Sequence, residues 1–205
     1  MNYIHTIKSN QRTMVDIQHC QWLVDFLNKN TINKFVEIGV AKGGLLALVA
    51  KTNPNVHIYG LDSWEGMPNI TKQDNPNHSR YVGKKWSSIE DVYESFNIIE
   101  APTNNLNLIK GFCEQTIPEN IDRLFEIDVL RLDVDWYEGT KFCLEQLYNN
   151  VNPGGLVIID DYHWNTGCKS ATDNFLKSLD IIPKTFKHIE LYNRDNVGPL
   201  LFYKK

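Results

Sequence analysis

The chain has no apolar run of membrane-spanning length, no C-x-x-C pair, no G-x-G-x-x-G turn and no basic tract. Each absence excludes something. A transmembrane helix needs about 20 predominantly apolar residues in a row. The opening MNYIHTIKSNQRT lacks even the shorter apolar core of a secretory leader. The chain therefore reads as cytoplasmic, with no membrane partner. Its four cysteines, Cys20, Cys113, Cys143 and Cys168, are widely spaced. In a reducing compartment they read as packing thiols, not as a disulfide framework or a zinc site. The net charge is −4, and lysines are adjacent only at 84–85 and 204–205. No field of the sign that attracts nucleic acid is present. Repeats and low-complexity tracts are also missing.

What is present is 205 residues, 42% of them hydrophobic, enough for one domain over 1–205 with a sizeable core. An N-terminal helical segment, 1–32, has helical spacing over 11–29. Apolar strand patterns follow at 34–40, 57–62, 106–111, 127–135 and 154–161. Helical patterns separate them at 43–52, 87–99 (capped by Ser87 or Ser88), 118–125, 138–151 and 170–179. KTFKHIELYN and GPLLFYKK flank RDNV as a closing hairpin. Residues 63–86, rich in Asn, Gly and Pro, show no period and read as a lid loop. Alternating strands and helices predict an α/β fold: a seven-stranded, mostly parallel sheet with helices on both faces and a C-terminal antiparallel hairpin.

In such sheets ligands sit beyond the carboxyl ends of the strands. The unusual polar residues gather there. The turn VEIGVAKGG (36–44) supplies Gly39, Val40 and Gly43, which permit close backbone approach. Glu37 inside the first strand suits a cationic ligand, or pairs with a nearby Lys. Asp62 closes the second strand, where a carboxylate accepts from ribose hydroxyls or simply caps a turn. Ser63 and Trp64 follow it, and Trp64 either stacks on a purine or packs.

RLDVDWYEGT (131–140) and GGLVIIDDYHW (154–164) end two apolar strands in Asp133, Asp135, Asp160 and Asp161. Such carboxylates repel one another and are costly to desolvate. A hard divalent ion such as Mg2+, held by Asp133, Asp160 and Asp161, offsets that cost. Asp135, two residues on, is placed to be a general base. A solvated turn and a helix cap are the plainer alternatives. His163 walls the substrate site or serves as ligand or base, and His78 and Arg80 in the loop either contact an acceptor or, as is usual for exposed loop residues, do nothing specific.

VEIGVAKGG, LDSWEGMP (61–68), KGFCEQTIP (110–118), RLDVDWYEGT and GGLVIIDDY (154–162), in this order and spacing, resemble the macrocin-type (TylF-like) sugar O-methyltransferases. The resemblance spans about residues 34–175. It implies a Rossmann-like class I methyltransferase fold, S-adenosylmethionine and Mg2+ as cofactors, and a sugar acceptor, free or on a glycan or small molecule. Glu37 and Gly39 would lie along the methionine, and Asp62 on the ribose with Ser63 and Trp64 beside the adenine. Gly111 and Phe112 would form the far wall. Asp133, Asp160 and Asp161 would hold the metal and Asp135 would take the proton. Family members commonly assemble as homo-oligomers. Val134, Trp136 and Gly139 stand where the family usually has Gly, Met and Ser. Trp136 also stands where the related catechol-type enzymes have Lys, which argues against a lysine base. Two rival readings are a nucleotide-sugar glycosyltransferase, through the Asp-x-Asp form of 133–135, and a non-catalytic binding module.

Overall fold

Phe35, Val36 and Ile38 are buried, as are Val129, Leu130 and Leu132. Strands covered on both faces require this. The computed structural model describes residues 2–181 and 198–204. Its strands are β1 (Lys34–Ile38), β2 (His57–Asp62), β3 (Leu106–Lys110), β4 (Ile127–Leu132), β5 (Val151–Ile159) and β6 (Leu200–Tyr203). Their order is β3-β2-β1-β4-β5-β6. The first five run parallel and β6 pairs antiparallel with β5. The order reverses between β1 and β4, which places a crevice beyond their carboxyl ends.

The helices are α1 (Tyr3–Ser9), α2 (Ile17–Lys29), α3 (Gly44–Thr52), α4 (Ile89–Ile98), α5 (Cys113–Asn120), α6 (Tyr137–Leu147) and α7 (Thr166–Ser178). Side-chain alternation along the strands divides the core in two. Phe35, Ile58, Val129 and Ile158 face a cluster built with α1 to α4. Val36, Ile38, Leu130, Leu132 and Ile159 face one built with α5 to α7. Helix α3 is buried from Gly44 to Ala50 because other helices as well as the sheet cover it. No helix among the described residues is long and apolar enough to cross a membrane.

The α/β class stands as expected, with differences in detail. Six strands lie among the described residues; the first arm of the expected hairpin, 184–193, lies outside them. The helix expected over 11–29 starts at Ile17, because Asp16 accepts from the amides of Gln18 and His19 and caps it there. A separate helix, α1, precedes it within the expected N-terminal helical segment. The helix expected over 118–125 starts at Cys113, so Pro118 falls inside it instead of opening it. The strand expected over 127–135 stops at Leu132. Asp133 and Asp135 therefore stand in the link to α6, and Asp135 adopts φ 56. The segment 63–86 is a folded wall: a 3-10 turn covers Pro76–Tyr81, and Gly83 N donates to Met67 O at 2.9 Å.

Candidate active site

The ends of β1 and β4 meet closely. Gly39 N donates to Leu61 O at 2.8 Å and Asp133 N to Ile38 O at 2.9 Å. Gly39 has φ 88, and a Cβ added there would overlap the main-chain oxygen of Asp133. Only glycine fits. Asp62 clamps the same turn: its Oδ2 accepts from Val40 N (2.9 Å) and Ala41 N (2.8 Å), and its Oδ1 from Trp64 N (2.8 Å). The indole Nε1 of Trp64 donates to Ala41 O at 3.0 Å.

Beyond these strand ends opens a cleft of about 380 Å3. Gly39, Asp62, Ser63, Trp64, Gly111 and Phe112 line one part of it, and Asp133, Asp135, Trp136 and Trp164 another. Three of the expected cofactor residues are not in that lining. Val40 is buried behind the turn, and Gly43 packs against Val92 at the start of α3. Glu37 is 1% exposed and its Oε1 is held by Arg131 Nη1 at 2.5 Å. Its charge is thus met inside the protein, which replaces the expectation of a ligand cation beside it.

Oxygens of Asp133, Asp135 and Asp161 lie within 4.8 Å of one another. Burial raises all three carboxyls above the usual range, Asp133 to about 6 and Asp135 to about 7. For Asp135 and Asp161 the neighbouring carboxylates push the same way; for Asp133 the Arg131 guanidinium pulls back. Asp161 Oδ2 is buried without a hydrogen-bond partner. A concentration of hard oxygen donors short of positive charge fits a divalent cation. Asp160 is turned elsewhere: its Oδ1 lies 2.7 Å from Arg131 Nη2, which is also 3.0 Å from Asp133 Oδ2. His163 stands edge-on to Tyr162 at 4.8 Å and does not line the cleft. His78 packs on Trp136 at 5.4 Å, and Arg80 on Tyr81 at 4.8 Å.

Three contributors were not singled out in the sequence. Arg131 is fully buried at the centre of the acidic group. It was visible as a charge within an apolar strand, directly across from Glu37 in the register. His19 of α2 reaches the same group, its Nδ1 3.9 Å from Asp160 Oδ1. Asp74, 5% exposed inside the loop, accepts from Tyr137 N at 2.8 Å, and nothing in its local sequence marked it.

The macrocin O-methyltransferase (TylF) family model matches residues 4–193. Demethyldecarbamoylnovobiocin O-methyltransferase of Streptomyces niveus is 29% identical over 188 residues, spanning 84% of this chain and 71% of that protein. The 8-demethyl-8-(2,3-dimethoxy-alpha-L-rhamnosyl)-tetracenomycin-C 4'-O-methyltransferase of Streptomyces olivaceus is 26% identical over 184 residues, 83% of this chain and 67% of that one. Among solved structures, the O-methyltransferase NovP superposes with a TM-score of 0.74 at 24% identity, covering 94% of this chain and 82% of that one. These matches set aside the glycosyltransferase reading of Asp133 and Asp135 and the non-catalytic one. The chain belongs to the macrocin O-methyltransferase family and is an O-methyltransferase.

Proposed function

We propose that the protein methylates a sugar hydroxyl with S-adenosylmethionine in the presence of Mg2+. One observation carries this reading: Asp133 and Asp135 line the same cleft as the Gly39 turn and Asp62, and Asp161 joins them in one group of three carboxylates. The sugar is supported by the family and by the relative whose acceptor carries a rhamnosyl group.

S-adenosylmethionine supplies an electrophilic methyl group, and Mg2+ supplies Lewis acidity toward an oxygen. Asp133 and Asp161 would hold the ion, with Asp160 outside that group on Arg131. Asp62 would take a ribose hydroxyl on its one remaining lone-pair site, and the Gly39 turn would run along the methionine. Trp64, Gly111 and Phe112 wall the adenine. Asp135, which lines the cleft, accepts the proton of the acceptor hydroxyl; His163 is not among the lining residues. Trp136, Trp164 and the wall formed by 63–86 exclude water and fix the acceptor in line.

The test is calorimetric titration with S-adenosylhomocysteine, with and without Mg2+, and then with a nucleoside diphosphate. Binding of the first and not the second is expected. Binding of only the diphosphate, with metal, overturns the reading. In turnover assays with sugar-bearing acceptors, Asp135→Asn is expected to lower kcat about 100-fold or more, the usual loss on removing a general base. Asp133→Asn and Asp161→Asn should abolish turnover, and wild-type rates in either would remove the metal assignment.

A further inference from the structure

Helix α6 starts directly after the acidic turn, and its N-cap residue, Trp136, makes no side-chain cap hydrogen bond. The missing cap comes from the loop: Asp74 Oδ1 accepts from Tyr137 N at 2.8 Å, across 63 residues of sequence. An anionic acceptor at a helix N-terminus satisfies an orphan amide and complements the helix dipole.

Asp74 is fixed from the other side as well. Its Oδ2 accepts from Thr71 N (2.8 Å) and Thr71 Oγ1 (2.9 Å). It also presses on the first turn of α7, where a Cβ on Gly167 would overlap Asp74 Oδ1. Gly167 N donates to Asn165 Oδ1 at 2.9 Å, and Asn165 Nδ2 lies 3.5 Å from His78 Nδ1. Asp74 thus sits where the first turns of α6 and α7 meet. These are the helices that follow the two carboxylate-bearing strand ends.

A second tie runs beside it, from Trp136 Nε1 to Pro68 O at 3.1 Å. Immediately before these ties, which are made by residues 136 and 137, stands Asp135 with φ 56. A non-glycine residue keeps such a conformation only where its surroundings over-determine it. We propose that Asp74 is a positioning residue, which caps α6 and abuts α7 so that Asp133, Asp135 and Asp161 converge. The loop then completes the acidic site instead of merely covering it. The inference rests on the metal reading given under the proposed function.

Three variants test it: Asp74→Ala, Asp74→Asn, which keeps an Oδ1 acceptor, and Gly167→Ala, which displaces the carboxylate without removing it. Binding of Mn2+ and of S-adenosylhomocysteine is measured by calorimetry, and amide exchange of residues 131–140 by mass spectrometry. Asp74→Ala is expected to lose about 10- to 100-fold in Mn2+ affinity, the usual cost of removing a group that orients ligands. Its S-adenosylhomocysteine affinity should stay within about twofold of wild type, exchange at 131–140 should accelerate, and Asp74→Asn should restore most of both. Gly167→Ala should follow Asp74→Ala, and decides the matter if the alanine variant does not fold. Wild-type Mn2+ affinity and exchange in Asp74→Ala overturn the inference. So does an equal loss of both ligands, which would mean general unfolding. A wild-type protein that binds no Mn2+ overturns the metal reading instead, and unchanged exchange at 131–140 then overturns the positioning role independently.

Discussion

Arg131 carries one positive charge into a shell of three carboxylates: Glu37, Asp133 and Asp160. Burial pushes Glu37 up to about 8 while the guanidinium pulls it down. Such a group contributes less to net stability than its short distances imply, because Arg131 and Glu37 are desolvated to form it and Asp133 and Asp160 partly so. Removing one member is a different matter, since the rest stay buried and unpaired. Arg131→Met is expected to cost about 3–5 kcal/mol, read as a lower urea midpoint. Glu37→Leu in the Arg131→Met background should recover part of that loss. An unchanged midpoint in Arg131→Met would mean that the carboxylates find water or protons instead. At this scale the sequence was half legible. Glu37 stood out as a charge in an apolar run, while Arg131, equally a charge in one, was not singled out; their pairing depends on the β1–β4 register, which no local pattern encodes. The choice at Glu37 between a ligand and an internal cation therefore stays open in the sequence.

Helix α5 begins at the cleft. Gly111, with φ 141, turns the chain out of β3, and Cys113 follows as the first helical residue and lines the cavity. Cys20, Cys143 and Cys168 are buried, and burial pushes the Cys20 thiol up to about 11. Thiolate is the reactive form. Iodoacetamide should therefore label the native protein at Cys113 alone among the four, and saturating S-adenosylhomocysteine should slow that labelling. Peptide mapping reads both. Comparable labelling of Cys20 or Cys168 would contradict the packing, and unslowed Cys113 would move the cofactor away from α5. The strands were legible from their continuous apolar runs. Two helix starts were not, because they are fixed by contacts that a periodic pattern does not show: the side chain of Asp16 for α2 and the Gly111 turn for α5; α6 begins within one residue of its expected start, and only its cap, a carboxylate from a remote loop, was hidden.

Across the molecule, the reversal of strand order between β1 and β4 gathers residues from distant parts of the chain, and the crowding of polar residues at strand ends foretold where. That gathering also shapes the pH response. His19 is buried beside Asp160, Asp16 and Arg131, and burial lowers its pKa from 6.5 to about 4. Above pH 6.5 it is neutral in both folded and unfolded chains. Between 6.5 and 4 the unfolded chain binds the extra proton, so stability falls with falling pH and this contribution levels off below 4. The loss from this one group amounts to about 3 kcal/mol. Thermal melts of His19→Asn should show a shallower acid slope than wild type, and parallel slopes would assign the acid sensitivity to other groups.

The contact between Gly39 and the main chain of Asp133 has a wider consequence. The turn on one side of the cleft and the carboxylate on the other are not separate bodies but two faces of a single joint. An occupant of the turn side that displaced the joint would displace it for one on the carboxylate side as well. Reciprocity then requires each occupant to alter the other's affinity by the same factor. A substitution at residue 39 would thus break a conversation between the two halves of the cleft, even though glycine itself touches nothing with a functional group.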